Sequence, residues 1–543
     1  MVTKIFYPML VYAPYMSFHQ EIIDMLLTKK IQTKDDLHKM KIKLCKKYQL
    51  DVIPRDSEIL AQLPSDIPEN GLAHALLRKK SMRTLSGVAV IAAMTSPESC
   101  PHGRCLPCPG GPAQNTPQSY TGYEPAAMRA CCNNFDPYLQ VQSRTEQLHA
   151  IGHATDKVDL IIMGGTFTAR HPEYQDWFVK RCYDALNEKR SRSLEQAKRH
   201  NETALSRCIG LTIETRPDWL RLQQVDHILH LGATRVELGV QTVDDTVLYT
   251  MKRGHTVTDS ISATRIAKDA GLKVCYHMMP GLPGSSEKKD LASFRTIFTD
   301  QQFKPDMIKI YPTLIIKGTP LYDLWKDGKY EPLTTTEASH LIAKIKKDVP
   351  EWVRIQRIQR DIPSQYISGG ITHSNLRQYI EQEMQHQGYS CRCIRCREIG
   401  HQPRETLDAG TKLNLEVVSR RYHASDGEEL FLSLEDTNQD VLIGYLRLRN
   451  IVRPHRAELS ESPCMMIREL KVLGREAPLG ERSAEAFQHR GYGKKLLQEA
   501  ERICREEFDK KQLFVLSGVG VKPYYRNAGF SDIGAYLHKK VHL

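Results

Sequence analysis

The stretch SCPHGRCLPCPGG, residues 99–111, decides how the chain is read, because it sets Cys100, Cys105 and Cys108 at intervals of four and two residues. Three thiolates this close can each hold one iron of a [4Fe-4S] cube, leaving the fourth iron open to another ligand. A structural zinc site with a distant fourth ligand is the competing reading of the spacing alone. Downstream, Gly164-Gly165-Thr166 ends an apolar run, where bare backbone can approach a small polar ligand. This favours the cluster, with S-adenosylmethionine on the open iron as the source of a 5′-deoxyadenosyl radical.

Outward from this motif the chain alternates short apolar runs, at residues 158–163, 208–213, 235–240, 273–278 and 307–311, with longer helix-compatible stretches. That alternation predicts a parallel α/β sheet over residues 96–385. Such sheets build their sites at the C-terminal ends of successive strands. Glu214 and Gln241 stand at two such ends and join Gly164, Gly165 and Thr166 as candidate cofactor contacts. A glycine-rich segment, 281–284, ends another run. Residues 188–202, EKRSRSLEQAKRHNE, read as a charged, solvated helix or loop.

The chain has 543 residues, room for about three or four domains. Its fourteen cysteines are too sparse for a secreted disulfide scaffold and include two tight clusters, which points to metal in a reducing compartment. The second cluster, Cys391, Cys393 and Cys396, suggests tetrahedral zinc, with His373 or His401 as the fourth ligand by proximity. A second iron–sulfur cluster is the minority alternative. Residues 386–404 therefore read as a metal-clamped linker.

Lys and Arg outnumber Asp and Glu by 76 to 64, a net charge of +12 that suits a polyanionic partner. Residues 1–95 form a basic, helix-compatible arm with Lys39, Lys41, Lys43, Lys46 and Lys47 bunched on it. Solvated helix surface explains that run equally well. Pro8 and Pro14 interrupt the apolar N-terminal stretch, so neither a signal peptide nor a membrane span is expected, and the expected location is cytoplasmic.

From residue 405 strand-like runs precede one strongly amphipathic helix, 491–505, predicting a mixed α/β domain over 405–543. Gln488-His489-Arg490-Gly491-Tyr492-Gly493 opens that helix and fits the Q/R-x-x-G-x-G/A pattern of Gcn5-related acetyltransferases. Its amides, with Lys494 and Lys495, would cradle a coenzyme A pyrophosphate. Tyr524 and Tyr525 follow where a tyrosine can approach a thioester, although a tyrosine pair can equally be packing.

Together SCPHGRCLPCPGG, QSYTGYEP, IIMGGTFTAR, IGLTIETRPD, ELGVQT, HMMPGLPG and KIYPTLIIKGT resemble the Elongator catalytic-subunit family over residues 30 to 540. The cysteine spacing is similar to archaeal and bacterial members; eukaryotic ones space the first two cysteines more widely. The resemblance implies a radical-SAM partial (β/α) barrel followed by a Gcn5-related acetyltransferase (GNAT) domain. It implies an enzyme that uses acetyl-CoA and S-adenosylmethionine to modify C5 of the wobble uridine of transfer RNA, giving 5-carboxymethyluridine. The family's acetyl-CoA contacts carry over to Lys157, Glu469, Leu470, Lys471, Val472, Tyr492, Gly493, Lys494, Lys495 and Tyr525. The expected partner is the tRNA anticodon stem-loop, with Arg253, Lys309 and Lys317 as candidate phosphate contacts. A protein lysine acetyltransferase with a structural iron–sulfur domain is the rival function, and a noncatalytic RNA-binding scaffold a further one. The sequence leaves open a homodimer or other Elongator-like subunits.

Overall fold

The computed structural model describes residues 12–64, 66–67, 71–78, 84, 86–401, 413–474 and 490–541. Seven strands form one wholly parallel sheet in sequential order: β1 (Ala89–Met94), β2 (Lys157–Met163), β3 (Arg207–Thr215), β4 (Arg235–Gln241), β5 (Lys273–Met278), β6 (Met307–Ile310) and β8 (Arg354–Ile358). Helices such as Pro172–Leu186 and Val257–Asp269 return the chain between them, as parallel pairing requires. The sheet buries both faces, so its strands read as near-continuous apolar runs, and Leu160, Ile213, Val236 and Val274 are fully buried. Two-stranded pairing of β7 (Ile315–Ile316) with β9 (Ile367–Gly369) sits beside the last strands.

Five of the seven strands lie where the apolar runs predict them. The other two escape the pattern. β1 is Ala-rich, and β8 alternates Arg354, Gln356 and Arg357 with isoleucines. Because β1 pairs with β2 in register, the parallel sheet starts ahead of residue 96.

The second sheet is mixed, in the order β10 (Glu416–Ala424), β11 (Gly427–Asp436), β12 (Val441–Asn450), β13 (Cys464–Val472), β14 (Gln512–Val515), β16 (Tyr536–Lys540), β15 (Ser531–Ile533). Only β13 and β14 run parallel, and their pairing stops at Ile467 opposite Val515. β13 continues to Val472 paired only with β12, so one of its edges opens away from β14. The helix Tyr492–Glu506 covers the sheet with Leu496, Leu497, Ala500, Ile503 and Cys504, one apolar stripe at helical spacing.

The second sheet packs beneath the N-terminal ends of the parallel strands. Cβ atoms placed on Gly518 and Gly520, after β14, would lie 2.1 Å from the Ile209 carbonyl oxygen and 2.5 Å from the Arg207 Cβ. Backbone meets backbone there. Around that contact lies a buried ionic network. Arg468 grips Asp306 with two hydrogen bonds of 2.6 and 2.8 Å and Glu429 at 2.7 Å. Arg449 holds Asp269 at 2.6 Å and Glu429 at 3.0 Å, and Lys268 lies 3.4 Å from Glu429. Burial opposes the charge on Asp306, but Arg468, Lys268 and Arg447 outweigh it and hold its carboxyl well below the usual range.

The N-terminal helices Tyr12–Leu27, Lys34–Lys47, Asp56–Leu60 and Leu72–Leu77 enclose a small core of Phe18, Ile22, Leu37, Leu44 and Ile59. Lys39, Lys43, Lys46 and Lys47 are exposed on the second helix, whereas Lys41 is buried and bonds Asp56 at 2.6 Å. The 188–202 insert folds as the helix Leu194–Asn201, and Asn201 at its end is fully buried. No helix among the described residues is long and apolar enough to cross a membrane.

Candidate active site

The cysteine loop crosses the C-terminal mouth of the half-barrel. Cys105 and Cys108 are buried and Cys100 is half-buried. Gly164 and Gly165 follow β2 with φ of +119° and +73°, a region that favours glycine. A Cβ on Gly165 would stand 3.7 Å from the Cys100 sulfur, and one on Gly164 would collide with Thr95. Thr166 Oγ1 donates toward Cys100 Sγ at 3.5 Å. The glycines and threonine predicted from sequence thus meet the first cysteine.

Two arginines supply positive charge. Arg253 Nη1 points at Cys105 Sγ from 3.6 Å, and Arg216 Nη1 holds the Arg253 carbonyl at 2.7 Å while pairing with Asp218. Burial, then Arg216 and Arg253, push His102 down to about 3, so it stays neutral with Nε2 3.0 Å from Cys105 Sγ. Burial pushes the Cys100 and Cys108 thiols up. Iron would therefore have to displace their protons, helped by the neighbouring guanidiniums.

An iron–sulfur cube fits this mouth better than one zinc ion. Only two groups of three metal-ligating side chains converge within 4.8 Å among the described residues, and Cys100, Cys105 and Cys108 are not one of them. Each iron of a cube takes its own thiolate, so no such convergence is needed. Polar atoms of His102, Gln241, Arg253 and His255 are also buried around the loop without a hydrogen-bond partner. A polar ligand is what such atoms lack.

Below the mouth the barrel interior is charged. Lys309 pairs with Glu237 and lies 3.7 Å from Glu214, His277 Nε2 is 2.8 Å from Glu237, and Tyr120 donates to Glu214 at 2.8 Å. Glu214 is thus positioned toward the mouth, and Gln241, at the end of β4 opposite Met278, sits at a positive φ of 71°. Lys309 is buried in this network and unavailable to an RNA phosphate, which corrects that expectation. Arg253 likewise faces Cys105 and the Gly239 carbonyl rather than solvent. Lys317 is exposed. The 281–284 segment packs on the end of the helix Asp245–Thr250: Leu282 clusters with Val247 and Met251, and the Met251 carbonyl accepts from the Leu106 amide of the cysteine loop. Gln118, Ser119 and Tyr120 escaped the residue-level reading, although they lie in QSYTGYEP; Gln118 accepts from the Cys100 amide at 2.9 Å.

Cys391, Cys393 and Cys396 are one of the two converging groups. Hydrogen bonds from Cys391 and Cys396 hold the Cys393 thiol well below its ordinary value, while the bonds that Cys391 shares with the other two thiols hold it above its own. Neither His373, which lies 3.3 Å from Thr335, nor His401, 3.8 Å from Glu398, joins them. The other group, Glu237, Cys275 and His277, already contains the Lys309 cation against its carboxylate, which opposes a metal.

In the second sheet the open edge of β13 presents Glu469, Leu470, Lys471 and Val472. Gly491 caps the following helix at φ +83°, and a Cβ there would meet open space. The amides of Tyr492, Gly493 and Lys494 have no acceptor within the helix and can face an anion. Lys494 and Lys495 are exposed beside them. Gln488 lies outside the described residues. Tyr524 Oη would be 2.9 Å from a Cβ on Gly493, whereas Tyr525 is buried against Phe530. Lys157 begins β2 at the barrel floor, the side on which the second sheet packs.

A thiol-bearing half-barrel seated on a sheet that splays beside a glycine-capped helix defines a radical-SAM enzyme joined to an acetyltransferase. The Radical SAM superfamily matches residues 100–295, the Radical_SAM C-terminal domain 305–386, and the Acetyltransferase (GNAT) family 401–530; the ELP3 N-terminal domain matches 15–85. The chain belongs to the Elongator complex protein 3 family. It is 51% identical over 90% of both chains to a Methanocaldococcus jannaschii protein named tRNA uridine(34) acetyltransferase. It is 42% identical to human Elongator complex protein 3, over 96% of each. The solved archaeal Methanocaldococcus infernus Elp3 with N-terminus deletion superposes with a TM-score of 0.74 at 47% identity, covering 84% of this chain and 99% of that one. These families imply a [4Fe-4S] cluster, S-adenosylmethionine and acetyl-CoA.

Proposed function

We propose that this chain builds a carboxymethyl group on C5 of the wobble uridine, position 34, of transfer RNA. The observation that carries the reading is the stacking of the two sites in one chain, cysteine mouth above and open β13 edge below, on a shared buried interface. Relatives named for tRNA uridine(34) support the substrate. Uridine C5 is a poor nucleophile for ordinary acyl transfer, so a radical route through the acetyl methyl suits it better.

Cys100, Cys105 and Cys108 would hold the cluster, and Gly164, Gly165 and Thr166, with Glu214 and Gln241, would seat S-adenosylmethionine. When bound, these groups supply a carbon-centred radical. Arg216 and Arg253 offset the negative charge of the thiolates. Strand β13 would pair edge-on with the pantetheine arm, the amides from Tyr492 to Lys494 would take the pyrophosphate, and Lys157 would reach the ligand from the barrel floor. Tyr524, whose hydroxyl lies over Gly493, is better placed than Tyr525 to orient the thioester or water. A hydrogen atom would leave the acetyl methyl and that carbon would add to C5; loss of one electron to the cluster and of the C5 proton to water would restore the C5–C6 double bond, and water would cleave the thioester to release coenzyme A. The N-terminal helices and the barrel mouth would together receive the anticodon stem-loop.

Anaerobically reconstituted protein, given carbon-13-labelled acetyl-CoA, S-adenosylmethionine, a reductant and tRNA, is expected to place both labelled carbons on the wobble uridine by nucleoside mass spectrometry. Label on protein lysines with none on uridine would sink the proposal in favour of a lysine acetyltransferase.

Cys391, Cys393 and Cys396 would hold zinc as a structural clamp. Cys393→Ser is expected to remove the zinc while leaving iron at the wild-type level by elemental analysis. Loss of iron with retained zinc would reverse the two assignments.

A further inference from the structure

The loop holding Gln118 and Ser119 runs from the cysteine site to the surface, and two aromatic rings mark where it emerges. Tyr123 stacks on Tyr366 with centroids 3.7 Å apart and planes 8° from parallel. One face of Tyr123 is thereby covered, yet the residue is still 45% exposed. The stack is tied to the site. Ser119 Oγ lies 3.5 Å from Cys108 Sγ, and Arg360, six residues before Tyr366, donates to the Ser119 carbonyl and lies 5.7 Å over the Tyr120 ring.

Cations stand around the cysteine loop that this segment touches through Cys108. Arg104 is exposed and bonds only carbonyls, those of Cys108 at 3.0 Å and Gly318 at 2.8 Å. Lys317, beside Gly318, and Lys252, beside Arg253, are also exposed. No ion pair joins Arg104, Lys252 or Lys317 to a carboxylate among the described residues.

Unpaired cations around the cysteine loop, with an exposed aromatic stack on the segment that leads away from it, match single-stranded nucleic acid, whose phosphates take the cations while an unstacked base takes the ring. A duplex keeps its base faces covered, and a phosphopeptide gives the ring nothing comparable. We propose that the Tyr123–Tyr366 stack is a platform for a nucleobase of the RNA loop adjoining the base that enters the barrel, with Arg104, Lys252 and Lys317 holding the loop's phosphates. This rests on the RNA-modifying function proposed above.

Binding of a fluorescent anticodon stem-loop RNA to the full chain tests it. Tyr123→Ala is expected to raise Kd about tenfold, while Tyr123→Phe, which keeps the ring, binds like wild type. Lys317→Gln and Lys252→Gln are each expected to flatten the slope of log affinity against log salt by about 0.7, and Tyr123→Ala to leave that slope unchanged. Wild-type affinity in Tyr123→Ala would overturn the platform, as would equal loss in Tyr123→Ala and Tyr123→Phe. A lowered melting temperature in Tyr123→Ala with unchanged affinity would also overturn it, making the stack a latch between loop and barrel. If wild-type protein binds the RNA but modifies no uridine, the proposed function fails, and the platform stands where Tyr123→Ala still weakens binding. If it modifies uridine and Tyr123→Ala binds normally, the platform alone fails.

Discussion

Cys105→Ala is expected to reduce carboxymethyl-type wobble nucleosides to below detection while acetyl-CoA still binds. Cys105 is 5% exposed and lies between His102 at 3.0 Å and Arg253 at 3.6 Å, so no other thiol can take its place. The substitution removes one of three iron ligands and leaves Arg253 facing a methyl group. A cube held by two thiolates is not expected to survive purification, so iron content should fall with product. The acetyl-CoA contacts belong to the other sheet and should keep their affinity, measured by calorimetry. Undiminished wobble nucleosides from the variant would refute the radical route, and wild-type iron content would refute the ligand assignment.

Asp306→Ala is expected to destabilise the protein by about 3–5 kcal/mol, because it leaves Arg468 and Lys268 buried without their main anion. Arg468→Met added to that variant should recover part of the loss, since an apolar replacement of both partners of a buried pair costs far less than breaking it. Urea unfolding of the two variants measures this. A loss under about 1 kcal/mol for Asp306→Ala would mean the network is solvated. The same carboxylate sets an acid limit. Burial raises the proton affinity of Asp306, and its cations lower it further than burial raises it. The folded protein therefore binds this proton more weakly than the unfolded chain does. The resulting stability is present above an unfolded-state value of about 4 and is lost as pH falls below it.

Much of this was legible in the sequence for a local reason. Cysteine spacing, apolar runs and the stripe of the helix Tyr492–Glu506 are all contained within a few residues of one another. The run at 273–278 matches β5 at both ends because its residues are buried on both faces. Strand β8 was hidden because Arg354 and Arg357 interrupt its apolar pattern, being drawn to Glu398 and Asp361. Lys309 looked like a surface cation because its neutralising partner, Glu237, is 72 residues away in sequence. The interface network was out of reach for the same reason: Asp306 and Arg468 are 162 residues apart. His373 and His401 were proposed on proximity in the chain, and the fold carries both away from the thiols.

The glycines at 518 and 520 carry a consequence for how such a chain can evolve. With carbonyl and Cβ atoms of β3 closer than a side chain allows, an acetyltransferase domain from another lineage would need both glycines, and arginines matching Asp306 and Asp269, before it could seat. Exchange of this domain by recombination is therefore expected to fail. On this geometry the two halves are expected to pass through descent as one unit, a bulkier residue at 518 or 520 being accepted only with a matching change at the start of β3.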